Sequence, residues 1–314
     1  MDWRVKGTIQ KILGALPGGH GLHFHLQRRF GGLRDFDGEL ATKVDDWEIM
    51  IGHLRGAGVV LPGVRCFEIG TGWYPTFPFA CYLAGAARVT TYDLNPHLRM
   101  ELTLRCADVL GRFLDRIATA AGVPLADVEQ RHRQLLDRLR AGADLDAASG
   151  GVIHYRSPAD ATRTALPDGD VDVVFSNSVL EHVPPDVIDA MYAESMRILS
   201  PRGLMFHSVN CGDHYAYVDR SIHQLHYLKY SDNQWQRWNN AFLYQNRLRA
   251  HWFVEGARRH GFDIDLDTST TRPERMRQLA GTPVHPQFAH VPAEQLCITS
   301  VDFIARKPAA SAAG

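Results

Sequence analysis

The chain has 314 residues and carries 34 Lys+Arg against 35 Asp+Glu, a net charge of −1. That balance excludes the concentrated positive field that a nucleic-acid backbone or an anionic membrane surface demands. With 45% hydrophobic and 22% charged residues the chain reads as globular; no apolar run reaches membrane-spanning length, and the five cysteines never form a CxxC pair.

In chain order, residues 1–60 are helical in pattern with glycine breaks, and they are expected to form a cap or lid. The N-terminal run MDWRVKGTIQKILGALPGGH shows no apolar core followed by a small-residue cleavage site, so no signal peptide is read and a cytoplasmic location is expected. Val64–Ile69 is a strand candidate closed by Gly70, followed by a helix over Thr76–Leu83 and a second strand over Arg88–Asp93. A helical stretch begins at Pro96. The 97–150 segment is longer than one crossover needs, and Leu125–Arg140 within it has helical spacing. Val152–Tyr155, Val171–Ser176 and Leu204–Val209 add three short strands, with a helix over Asp186–Leu199 between the last two. Phe262–Asp267 and Cys297–Ala305 read as closing strands, and 308–314 as a flexible tail.

Short β-rich runs alternating with helices predict an α/β fold, a doubly wound, Rossmann-like and mostly parallel seven-stranded sheet with helices on both faces. The main domain is expected over 61–307, with insertions at 97–150 and 211–245. Together with residues 1–60, these insertions are candidates for a lid and pocket wall; the alternative is that they pack the domain or form a homodimer interface.

The residues that carry chemistry begin at Glu68-Ile69-Gly70-Thr71-Gly72, a strand running into a glycine turn. Glycines there let backbone approach a ligand closely. A pyrophosphate would favour bare amides at the following helix start, whereas here an acidic strand end precedes Trp73-Tyr74-Pro75. This suits a positively charged ligand without phosphate. Asp93, 21 residues after Gly72, ends the next strand, where a carboxylate can accept both hydroxyls of a ribose or cap the helix after Pro96. Asp160-Ala161, Leu166-Pro167-Asp168-Gly169-Asp170, the segment Asn177-Ser178-Val179-Leu180-Glu181-His182-Val183 and the turn Met196–Gly203 follow in order.

Taken together these segments resemble the class I S-adenosylmethionine-dependent methyltransferases over residues 60–210, and less closely to 306. The resemblance implies that S-adenosyl-L-methionine is the cofactor. Gly70 and Gly72 would pass its methionine part, with Glu68 beneath. Asp93 and the adjoining Leu94 would hold the ribose, Asp160 and Ala161 the adenine, and Asn177 and Ser178 the methionine end. The chain departs from the family pattern at Ser200-Pro201-Arg202-Gly203 and at Trp73-Tyr74-Pro75. Methyl transfer needs orientation above all, and no metal. A nicotinamide-dependent oxidoreductase is disfavoured by Glu68 and the missing third glycine. A non-catalytic binding module is disfavoured by the intact carboxylates.

Groups beyond the fourth and fifth strand ends are the candidates for acceptor positioning or deprotonation: His182, Asp213 and His214 first, then Tyr217, Asp219 and His223. Asp213 and His214 read equally as a base pair or as helix caps. The 215–244 run mixes Tyr215, Tyr217, Tyr227, Tyr230, Trp235, Trp238, Phe242 and Tyr244 with His and Asn, which predicts a wall for a flat, partly polar small molecule. Gly19-His20-Gly21-Leu22-His23-Phe24-His25 lacks both an i,i+4 helical pair and a carboxylate, so no metal is expected there or elsewhere. The acceptor is expected to be a small molecule of specialised metabolism, methylated on O, N or C.

Overall fold

The computed structural model describes residues 2–15, 32–240 and 244–309. The histidine-rich stretch 19–25, Phe242 and the end of the tail lie outside them. Seven strands form one sheet: β1 (Arg65–Ile69), β2 (Arg88–Tyr92), β3 (Ile153–Arg156), β4 (Val171–Asn177), β5 (Leu199–Asn210), β6 (Asp263–Asp267) and β7 (Ser300–Arg306). Their order is β3-β2-β1-β4-β5-β7-β6. The first five pair in parallel, and β7 runs antiparallel between β5 and β6. The doubly wound sheet expected from the alternation is therefore present.

The central strands are apolar because both of their faces are covered. Phe175 and Phe206 look to one side; Val174 and Met205, their neighbours in the same strands, look to the other. On the first side lie α2 (Phe36–Gly56), α3 (Thr76–Leu83), α4 (Met100–Leu110), α5 (Leu114–Ala121), α6 (Leu125–Arg140) and α7 (Leu145–Ser149). On the second lie α8 (Pro185–Ile198) and, after the short α9 (Asp232–Trp235), α10 (Ala250–Arg259). No helix among the described residues is long and apolar enough to cross a membrane.

The three unusual segments separate in role. Residues 97–150, read from the sequence as lid or packing, are packing: Leu102, Cys106, Leu110, Ile117, Val128, Leu135 and Leu139 all enter the first core. The 1–60 stretch is not one unit. Helix α2 drives Phe36, Leu40, Val44, Trp47, Ile51 and Leu54 into that same core at helical spacing. Helix α1 (Trp3–Ala15) instead buries Trp3 in a third cluster with Tyr215, Tyr227 and Trp235. The expected aromatic wall has a second role here. Most of its rings form a small core of their own, with Trp3 against Trp238 at 4.6 Å and Tyr227 against Trp235 at 5.5 Å. Its polar groups are satisfied within the same module. Gln245 N donates to Asn239 at 3.0 Å, and His226 Nδ1 meets Asp213 at 3.1 Å.

Trp47 tests whether α2 is core or detachable lid. It is fully buried, with its indole N–H on Cys81 Sγ at 3.4 Å. Trp47→Ala is expected to destabilise the protein by about 3–5 kcal/mol, the usual cost of emptying such a site. Urea unfolding measures this, and a loss below about 1 kcal/mol would mean that the helix is only loosely applied.

Candidate functional site

The parallel order reverses between β1 and β4, and a crevice opens there at the carboxyl edge, the usual ligand position in such sheets. The chain turns into it at Gly70 (φ +87°) and Gly72 (φ +75°), conformations that glycine adopts freely. A Cβ on Gly70 would also stand 2.7 Å from Val179 Cγ2, whereas one on Gly72 would meet open space. Gly72 therefore borders room that a ligand can use.

Two carboxylates face this turn. Glu68, on β1, accepts a hydrogen bond from the Thr91 hydroxyl, which is also bonded to the Thr71 hydroxyl. Asp93, just past β2, accepts the Gly72 amide at 3.1 and 3.3 Å and the Tyr155 hydroxyl at 3.4 Å. The Gly70 amide donates to the Tyr92 carbonyl at 2.8 Å, which locks the two strand ends together. Burial pushes the Glu68 carboxyl up to about 7, with the charge of Asp93 adding to the shift. Burial likewise lifts Asp93 to about 6, against the opposing pull of the Gly72 amide, Tyr155 and Lys43. A crevice that strains two carboxylates this way favours a ligand bringing positive charge and hydroxyl donors.

The remaining residues named from the sequence fall around this pair. Leu94 is exposed beside Asp93. The Ala159 amide donates to the Asp93 carbonyl at 2.9 Å, which sets the 157–161 loop against the end of β2. In that loop Ala161 is buried, while Asp160 is exposed and accepts the Thr162 amide and hydroxyl at 2.8 and 2.7 Å. Asn177 ends β4. Ser178 follows in a left-handed conformation (φ +54°), with its amide on the Ser208 carbonyl at 2.9 Å.

Helix α2 supplies two groups that sequence reading missed. Asp46 accepts the Asn177 amide at 3.0 Å, and burial raises its pKa. The Lys43 charge is felt at Asp46, Glu68 and Asp93. In the sequence both are ordinary polar positions of an amphipathic helix.

The groups past β4 and β5 form a second cluster. His182 Nδ1 donates to the Tyr244 carbonyl at 2.7 Å, and its ring meets that of His214 edge to face at 4.9 Å. Glu181, 1% exposed, lies beside them. Burial lowers both imidazoles, His214 to about 3, and raises Glu181 to about 8. Asp213 does not pair with His214. Its carboxylate accepts the Tyr215 amide at 2.9 Å and faces His226, so it caps the 214–217 turn. Tyr217 stands 60% exposed, with its hydroxyl accepting from Asn210 at 2.6 Å. Asp219 holds the Trp3 amide at 3.1 Å, and His223 Nε2 lies 3.3 Å from the Thr282 hydroxyl. Those two belong to the third core's framework. A cavity of about 450 Å³ is lined by Tyr244, Gln245 and Asn246, which hydrogen-bond to the cluster, and by Trp235, Arg247 and Trp252; Glu181, His182 and His214 themselves do not line it.

Residues 134–207 match the family model described as a Methyltransferase domain, a stretch that runs from α6 through β3, β4 and α8 into β5. No curated protein matches the chain. Similar solved structures include an S-adenosylmethionine dependent methyltransferase from Mesorhizobium loti, at 17% identity over 81% of this chain and 96% of that one, TM-score 0.44. Another is a geranyl diphosphate C-methyltransferase from Streptomyces coelicolor A3(2), at 14% identity over 86% and 83%, TM-score 0.48.

The raised Glu68 pKa has a consequence for stability. Between its ordinary 4.5 and about 7 the folded chain holds a proton that the unfolded chain has released. Stability therefore falls as pH rises through that window. Glu68→Gln removes the effect, so its melting temperature is expected to exceed that of the unaltered chain above pH 7. At ~1.4 kcal/mol per unit the advantage is on the order of 1–3 kcal/mol. The gap should close below about pH 4.5, and thermal melts from pH 4 to 8.5 check it. A gap that ignores pH would assign the titration to another group.

Proposed function

We propose that this chain is a class I S-adenosylmethionine-dependent methyltransferase and methylates an O, N or C nucleophile of a small, partly polar molecule in specialised metabolism; the match of residues 134–207 to a Methyltransferase domain and the sheet order support that reading. The cavity beside the His182–His214 cluster carries this reading. Its volume of about 450 Å³ and its mixed aromatic and polar lining are those of a small-molecule site. The net charge of −1 agrees, since a nucleic-acid acceptor calls for a basic surface.

The bound cofactor supplies an electrophilic methyl on a sulfonium. The role of the chain is to hold and align. In this reading Glu68 and Asp93 provide the negative field, with Asp93 accepting the ribose hydroxyls next to Leu94. The 157–161 loop, through Asp160 and Ala161, borders the adenine. The bare backbone of Gly70 and Gly72, with Asn177 and Ser178, lines the methionine end. Asp46, already bonded to Asn177, is a natural partner for an ammonium group. Alignment of this kind supplies roughly 7–11 kcal/mol of barrier reduction in well-oriented systems.

On the acceptor side His182 and His214 are proposed to face the substrate, and Asp213 to position His214 by fixing the turn that carries it. Asp213→Asn is then expected to lower the melting temperature more than turnover per folded molecule. Replacing His214 with Ala should lower turnover at unchanged cofactor affinity.

Two further measurements test the reading. Asp93→Asn should weaken S-adenosylmethionine binding by about 10–100-fold in calorimetry, matching the loss of ~1.5–3 kcal/mol for a charged hydrogen-bond acceptor. An unchanged affinity in the folded variant would remove Asp93 from the cofactor site. With methyl-labelled cofactor and a fractionated cell extract, label is expected in the small-molecule fraction. Label confined to protein or nucleic acid would overturn the choice of acceptor.

A further inference from the structure

The cluster beyond β4 has features that base chemistry leaves unexplained. Glu181, His182 and His214 each offer one ligating atom within 4.8 Å of the others, and they are the one such group of His, Cys, Asp and Glu among the described residues. Two of their polar atoms, Glu181 Oε2 and His214 Nε2, are buried without any hydrogen-bond partner. A native interior rarely leaves such atoms unmatched, and here two belong to one cluster of three residues. The other Glu181 oxygen accepts the Asn210 amide at 3.4 Å, which fixes the orientation of the carboxyl. His182 donates its Nδ1 proton to the Tyr244 carbonyl, leaving Nε2 bare. That is the arrangement by which a backbone carbonyl sets the tautomer of a metal-bound histidine. The backbone holds the third ligand in place too, since the His214 amide donates to the Gln245 side chain at 3.1 Å.

We propose that Glu181, His182 and His214 form a binding site for a divalent transition cation of the Zn²⁺ class. Two imidazoles and one carboxylate match the borderline preference of such ions, whereas Mg²⁺ or Ca²⁺ would want oxygen ligands throughout. Three protein ligands leave a coordination position for water or for an oxygen of an entering molecule. Bonds of about 2.0–2.2 Å bring ligand atoms closer than 4.8 Å, so the three side chains draw together by small rotations on binding. Sequence reading expected no metal because it looked for ligands on one helix. Here two are adjacent in the chain, and the third arrives 32 residues later, past the carboxyl end of β5.

The site stands on its own ligands and does not depend on the acceptor chosen above, so it is tested with neither cofactor nor acceptor present. The full chain is titrated with Co²⁺ alone, following visible absorption, and with Zn²⁺ alone, following calorimetry. One equivalent of Co²⁺ is expected, with the intense bands of a four- or five-coordinate ion. Glu181→Gln and His214→Asn should each weaken binding at least about tenfold, the lower end of what even outer partners of a ligand cost. Replacing His20, His23 and His25 together with Ala should leave it unchanged. Melting curves confirm that each variant is folded. In the unaltered chain, Zn²⁺ should also shift the ring ¹⁵N resonances of His182 and His214, a readout that requires no variant to fold. The proposal is overturned if these resonances do not move. It is equally overturned if binding persists in Glu181→Gln and His214→Asn but vanishes with the N-terminal histidines.

Discussion

Glu68 and Asp93 end adjacent parallel strands, and burial keeps both carboxyls from ionising as freely as they would in water. The surroundings give each a few donors: Thr91 for Glu68, the Gly72 amide and Tyr155 for Asp93. The balance left over is a local deficit of positive charge, met only in part by Lys43. An oxidoreductase crevice would carry amides for a pyrophosphate at this place. Here the glycine amide is already spent on Asp93, and the ligand that relieves the crevice must be cationic and rich in hydroxyl donors.

Holding that pair requires a fixed register between β2, β1 and β4, and the opposite edge of the sheet supplies it. At the amino ends of these strands Arg65 reaches Asp172 through its amide and its guanidinium at 2.8–3.0 Å. Arg88 and Arg65 share Asp170. Ion pairs this exposed each contribute little to stability. Their effect here is geometric: a slip of one residue would turn Glu68 from the crevice toward the opposite face.

Most of the sheet and half of the crevice were legible in the sequence, because strand ends and glycine turns are local signals. Leu125–Arg140 and Thr76–Leu83 have the bounds that apolar spacing indicates. The Glu68–Gly72 turn and Asp93 lie where a strand and its turn put them. Contacts that close over long sequence separations were not legible. Lys43 and Asp46 read as solvated positions of an amphipathic helix until that helix is packed on the sheet, 131 residues from Asn177. Glu181 is hidden inside a motif whose histidine draws the eye, and only the packed structure shows that one of its carboxyl oxygens is buried without a partner. The aromatic run after β5 divides: Trp235, Asn239 and Tyr244 line the cavity, while much of the rest packs inward. Its polar residues suggested a wet wall, yet Asp213, His226 and Asn239 pair within a small core closed by Trp3.

The two ends of the crevice differ electrically, and the difference suits the chemistry. Carboxylates gather at the β1–β2 side, while the β4–β5 side holds imidazoles that burial keeps neutral and a carboxyl that burial keeps protonated near neutral pH. Only interactions that strengthen toward the transition state speed a reaction. In a displacement that discharges a cation, a carboxylate set against the reacting centre would favour the charged start over the less charged transition state. Carboxylates that grip the cofactor elsewhere bind it without that penalty. A neutral cluster at the receiving end leaves the charge free to disperse. It also makes a cation at Glu181, His182 and His214 consequential, since such an ion would turn the receiving end positive and lower the pKa of an oxygen bound to it. In the proposed reading, binding falls to residues 68–93 and reactivity to the neighbourhood of His182 and His214.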